Sequence, residues 1–114
     1  MAKLMTDSKL TAVITGGARR IGAETARHLH ERGLNILIHY RHSSADAEQL
    51  AEELNAHRAG SAAIVQGDLA DTEVGQCIEA ACMSAFGRID LLVNNASSFY
   101  PTPVHQTTHD QWED

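Results

Sequence analysis

Residues 10–22 read LTAVITGGARRIG. A short apolar run, Leu10 with Ala12, Val13 and Ile14, enters a turn made of Thr15, Gly16 and Gly17. The pair Arg19 and Arg20 then precedes Ile21, Gly22 and a helical pattern. Strand, glycine turn and helix in that order bring backbone N–H groups and a helix N-terminus together at the turn, a site that attracts a pyrophosphate. Gly16 and Gly17 let the backbone turn tightly and approach a ligand, and Gly22 lets the helix lie close to the strand. The glycines do not follow the G-x-G-x-x-G form, and such a turn serves equally as a plain connection. The rest of the chain decides between the two.

Working outward, residues 10–15 form a first strand. Residues 21–32 form a helix with Ile21, Ala26 and Leu29 on its apolar face and Gly33 at its end. LNILIHY, residues 34–40, is a continuous apolar run suited to a strand buried on both faces. Ser43 or Ser44 caps a second helix with Ala47, Leu50, Ala51 and Leu54 inward, closed by Gly60. SAAIVQ, residues 61–66, is a third strand stopped at Gly67 and Asp68. Asp71 caps a third helix with Val74, Ile78, Ala81 and Ala85 on its apolar face and Gly87 at its end. IDLLV, residues 89–93, is a fourth strand. A polar and aromatic loop follows, and Thr108 and Gln111 have the spacing of a capping box, which starts another helix. The alternation predicts an α/β, Rossmann-type doubly wound parallel sheet with helices on both faces and strand order 3-2-1-4.

Composition narrows the function. A chain of 114 residues holds one small domain, and a net charge of −6 opposes nucleic-acid binding through a broad basic surface. Residues 1–9 contain no apolar run of a signal peptide, and no stretch is apolar enough to span a membrane. Cys77 and Cys82 lie five residues apart in one helical pattern and point in different directions, which suits reduced thiols in the cytoplasm. No metal site is expected: His28 and His30 fall on different helix faces, His39 and His42 lack a Cys or acid to complete a set, and His105 precedes the helix that holds His109.

In such a sheet, ligands bind at the C-terminal strand ends, where residues 16–22, 39–43, 68–69 and 94–99 converge. A sheet that binds NAD carries an acid at the end of its second strand, for the ribose 2′-hydroxyl. Here that place reads HYRHS, with Arg41 and no acid, which suits a 2′-phosphate and so NADPH; Arg41 as a solvated surface residue is the plainer alternative. Asp68 and Leu69 either flank an adenine or only begin the approach to the next helix. Asn95 either holds the middle of the dinucleotide or satisfies loop backbone. Arg19 and Arg20 oppose the dipole of the helix they precede, a cost that an anionic ligand explains.

TGGARRIG at residues 15–22 and NNAS at residues 94–97 resemble the cofactor and NNAG elements of the short-chain dehydrogenases/reductases. Arg20, where most of that family carries glycine, HYRHS at 39–43 and NNASSFYPTP at 94–103 resemble the pteridine reductases more narrowly. The resemblance implies NADPH-dependent reduction of pterins such as biopterin, folate and their dihydro forms, by a cytoplasmic homotetramer. It implies that Gly16 and Gly22 shape the cofactor turn, and that Arg20, Ile21, His39, Arg41, His42 and Ser43 bind the NADPH phosphates and ribose. Asp68 and Leu69 would hold the adenine, and Asn95, Ala96 and Ser97 the cofactor's middle. Arg20, Ser97 and Phe99 would contact the pterin, with Phe99 stacking on it; read from the residues alone, Phe99 is an ordinary loop aromatic.

Two departures qualify this. Arg41 and His42 stand in the reverse of the order frequent in the family. The family's proton donor, a Tyr four residues before a Lys, is missing: Ser44 and Val104 follow Tyr40 and Tyr100 at that offset, and the only lysines are Lys3 and Lys9. No catalytic residue is therefore expected within the chain. An apolar fourth strand on an open edge points the same way. The expectation is the N-terminal part of a longer reductase, truncated after the fourth strand, with the remainder of the enzyme as its partner.

Overall fold

The computed structural model describes residues 9–95. Its elements run β1 (Thr11–Thr15), α1 (Arg20–Glu31), β2 (Asn35–Tyr40), α2 (Ser44–His57), β3 (Ala62–Gln66), α3 (Val74–Phe86) and β4 (Leu91–Asn94). The four strands form one parallel sheet in the order β3-β2-β1-β4. Ala12 aligns with Ile36 of β2 and with Leu91 of β4, and Ile38 aligns with Ile64 of β3. The sheet is doubly wound, as expected.

Alternation along the strands divides the core in two. Ala12, Ile14, Ile36 and Ile38 face α1 and α2, where they meet Ala23, Ala26, Ala47, Leu50 and Leu54. Val13 and Leu37 point the other way, onto Cys82 of α3. This is why LNILIHY is continuously apolar: each face of β2 has its own helical cover. Gly33, Gly60 and Gly87 take the left-handed conformation just after α1, α2 and α3.

The helix faces differ from expectation in places. Ile21 is 73% exposed, and Ala23 and His30 are buried instead, because Ala23, Ala26 and His30 share one face of α1 from which Ile21 points away; the helix also starts one residue early, at Arg20. Ala85 is exposed on α3, where Cys82 is the buried residue. Ser43 holds the N-cap position of α2 without a side-chain cap bond. Asp71 does not cap α3: its carboxylate accepts from the Glu73 N–H at 2.9 Å in a turn ahead of the helix, whose N-cap is Glu73. The fourth strand begins at Leu91, because the Asp90 carboxylate accepts from the Thr11 N–H at 2.8 Å and pairs with Arg88. The Thr108–Gln111 helix lies outside the described residues. No described helix is long and apolar enough to cross a membrane, and the described residues contain no metal-ligating cluster.

One buried polar network carries a pH prediction. His30 Nε2 donates to Ser61 Oγ at 2.6 Å, and the Ser61 hydroxyl in turn donates to the Arg58 carbonyl. Arg58 closes the end of α1, donating to the carbonyls of His30 and Leu34. Burial, with help from the charges of Arg58 and His57, holds the His30 pKa below its ordinary value. The unfolded chain therefore takes up the proton first. The stabilisation is complete above the unfolded histidine pKa, about 6.5, and is lost as pH falls below it. Urea midpoints should drop between about pH 7.5 and about pH 5.5, and His30→Gln should flatten that drop.

Candidate functional site

The C-terminal ends of the strands gather the glycine turn, the β2 end, the β3 end and Asn94-Asn95 at one edge. The turn is locked on both sides. The Gly16 N–H donates to His39 Nδ1 at 3.1 Å, and the Gly16 carbonyl accepts from Asn95 Nδ2 at 3.1 Å. The Gly17 N–H donates to the His39 carbonyl at 2.9 Å. Gly16 takes φ +61°. Both glycine N–H groups are thus directed at β2, so Gly16 supplies the turn rather than a donor to a ligand.

The donors left facing the edge are those of the first turn of α1. That turn contains no acidic residue, and Arg19 at its N-cap makes no side-chain cap bond. Uncapped helix N–H groups carry partial positive charge and suit an anion. Below them α1 packs on the turn so closely that only glycine fits. A Cβ on Gly22 would lie 2.5 Å from the Gly16 carbonyl and 2.6 Å from Asn95 Nδ2, and one on Gly17 would lie 2.9 Å from the Ile14 carbonyl. Arg20 is exposed and holds φ +57°, a conformation costing an L-residue roughly 1–2 kcal/mol. Ile21 is exposed beside it. Arg19 pairs instead with Asp46 of α2 at 3.4 Å, so the basic spot at the turn has an internal counter-charge that the sequence reading missed.

At the ends of β2 and β3, Arg41 and Asp68 form an ion pair at 3.4 Å, both side chains near half exposure. Gln66 donates to the Arg41 carbonyl at 3.0 Å and steadies the β2 end. His42 is exposed and Ser43 half-buried at the same edge. Asp68 Oδ1 also accepts from the Ala70 N–H at 2.9 Å, the turn role weighed against adenine binding. Leu69 is buried and presents little surface. His39 departs furthest from the role given by resemblance. Its ring is 1% exposed, and Nε2 donates to the Gly67 carbonyl at 2.7 Å, so it lies inside the fold rather than open to a ligand.

On the β4 side, Thr15 Oγ1 donates to Asn94 Oδ1 at 3.0 Å and accepts from the Asn95 N–H at 3.0 Å. The Asn95 side chain satisfies turn backbone through its bond to the Gly16 carbonyl. In sequence Thr15 reads only as the first residue of the glycine turn, with no sign that its hydroxyl ties β4 to that turn. An open groove of 860 Å³, lined by Thr15, Leu69, Val74, Ile78, Leu92 and Asn94 among others, runs from this edge along the α3 face. Ala96, Ser97 and Phe99 lie outside the described residues.

The family model for short chain dehydrogenases matches residues 10–114. Pteridine reductase 1 of Leishmania tarentolae is 42% identical over 110 residues, covering 82% of this chain and 38% of the relative. The short-chain dehydrogenase/reductase FrzI of Cladobotryum sp is 38% identical over 102 residues, covering 90% and 39%. The 3-oxoacyl-(acyl-carrier-protein) reductase FabG of Staphylococcus aureus is 34% identical over 104 residues, covering 91% and 42%. The chain spans about two fifths of the length of these relatives.

Proposed function

This chain belongs to the short chain dehydrogenase family, and from that premise we propose that it is the cofactor-binding part of a longer NADPH-dependent reductase acting on pterins. The uncapped N-terminus of α1, packed on a glycine turn with no room for a Cβ, supports a dinucleotide pyrophosphate there. Arg41 at the end of β2, with no acid in that strand end, supports a 2′-phosphate. Together these support the 16–22 turn as a ligand site over a plain connection.

Arg20 is the observation that carries the substrate class. A side chain kept at positive φ, where most of the family carries glycine, costs stability and so suggests a use for the guanidinium at the site. The flat, polar pterin ring offers acceptors for it, and similarity to a pteridine reductase agrees. When bound, NADPH supplies the hydride that reduces a C=N bond of the ring. The chain's residues hold and orient the cofactor; Phe99 and Ser97 are assigned to the pterin by resemblance. The proton donor required by the reaction is not in this chain. The same reading makes the complete enzyme a cytoplasmic homotetramer.

Similarity to FabG favours a second reading, a reductase of a ketone. Loss of reduced-nicotinamide absorbance, followed with the full-length protein, separates the two. Turnover with biopterin or dihydrobiopterin well above that with a 3-oxoacyl thioester is expected. The reverse ranking overturns the pterin reading, and no oxidation with either would leave a dinucleotide-binding module.

A further inference from the structure

His39 is a buried imidazole at the end of a strand that otherwise reads as an apolar run. It lies on the face of β2 shared with Leu37, above the α3 side of the core. Taking a polar ring out of water is costly unless its nitrogens find partners. They find them on both neighbouring strands. Nδ1 accepts the Gly16 N–H after β1, and Nε2–H donates to the Gly67 carbonyl after β3. These partners define the tautomer: a backbone N–H needs an unprotonated Nδ1, and a carbonyl needs a protonated Nε2.

We propose that His39 is a positioning residue for the dinucleotide site, and this rests on the NADPH reading above. Its ring spans the pyrophosphate turn and the Gly67-Asp68 turn, which lie on opposite sides of β2. With its carbonyl on the Gly17 N–H, His39 directs both glycine N–H groups inward. That leaves the first turn of α1 as the anion site and holds the turn in its close packing against Gly22. Asn95 secures the other side of the same peptide through the Gly16 carbonyl. Without the Nδ1 acceptor, the Gly16 N–H seeks another partner, and the turn spends time in shapes that do not fit a pyrophosphate. Apparent affinity falls by the fraction lost.

Two variants divide the ring's functions. In His39→Asn the side-chain oxygen stands where Nδ1 stood and keeps the Gly16 bond, while the bond to Gly67 is lost. In His39→Gln the longer amide reaches Gly67 and the acceptor for Gly16 is lost. Each gives up one buried hydrogen bond, so both should lower the melting temperature of the full-length protein by similar amounts. Only His39→Gln should weaken NADPH binding, by roughly tenfold in a direct titration. Equal affinities in the two variants, or losses that merely track the melting temperatures, overturn the proposal. If the wild-type protein binds no NADPH, the NADPH reading fails, and the clamp is still decided by the Gly16 amide. Slow exchange in wild type and His39→Asn with fast exchange in His39→Gln sustains the clamp, and equal exchange in all three overturns it. A ¹⁵N spectrum showing Nδ1 protonated and Nε2 bare at neutral pH would also overturn it.

Discussion

Gly22→Ala is expected to cost about 3 kcal/mol and to abolish dinucleotide binding, lowering the melting temperature by roughly 10 °C. The added methyl has no room. It would sit 2.5 Å from the Gly16 carbonyl, 2.6 Å from the Asn95 amide nitrogen and 2.8 Å from the Gly17 Cα. Two of these atoms are backbone, and the third belongs to a side chain already fixed by its bond to Gly16. Relief therefore requires α1 to back away from the turn. That motion breaks the Asn95 bond and withdraws the N–H groups proposed to hold the pyrophosphate. Gly75→Ala is the internal comparison: it adds the same methyl to α3 in open space, where alanine is the better helix former by about 1 kcal/mol. Thermal melts of the two variants should move in opposite directions. Equal stability and unchanged NADPH affinity in Gly22→Ala would refute the close-packed reading of the turn.

Much of this fold was legible because it depends on local pattern. The short apolar run of Leu10, Ala12, Val13 and Ile14, the apolar run at β2 and the glycines after each helix led directly to strand order 3-2-1-4 and to the edge where the site lies. What escaped depends on partners far away in sequence. Nothing near Asp90 indicates that its carboxylate will meet the N–H of Thr11, and nothing near Arg19 points to Asp46. His39 was placed at the right strand end but assigned to the ligand, because a sequence does not tell which way a histidine ring turns. Its direction follows from the Gly16 and Gly67 turns, 23 and 28 residues away. Ile21 and Ala85 illustrate a different limit. At about 100° per residue Ile21 lies about 140° round α1 from Ala26, off the buried face that Ala23, Ala26 and His30 share, and an apolar side chain alone does not reveal which face the sheet covers.

Arg41→Ala is expected to reduce the preference for NADPH over NADH by roughly ten- to thirtyfold, almost wholly through weaker NADPH binding. A 2′-phosphate carries nearly two negative charges, and a guanidinium can meet it with two parallel hydrogen bonds. NADH lacks that group and should notice the substitution little. The magnitude stays near 1.5–2 kcal/mol because Arg41 is close to half exposed, where water and salt screen the interaction. Asp68 makes the test sharper. Its carboxylate lies 3.4 Å from the Arg41 guanidinium, so an incoming phosphate must compete with it for the same cation and bear its repulsion. Asp68→Asn should therefore keep or strengthen the NADPH preference, even if it weakens the hold on the adenine of both cofactors. His42→Ala settles the consequence of the reversed order: a small effect leaves the phosphate with Arg41, whereas a loss matching that of Arg41→Ala shares it between them. The NADPH advantage should also shrink as salt rises in the wild type and much less in Arg41→Ala. A preference that survives Arg41→Ala and does not respond to ionic strength would mean that Arg41 is only the solvated partner of Asp68.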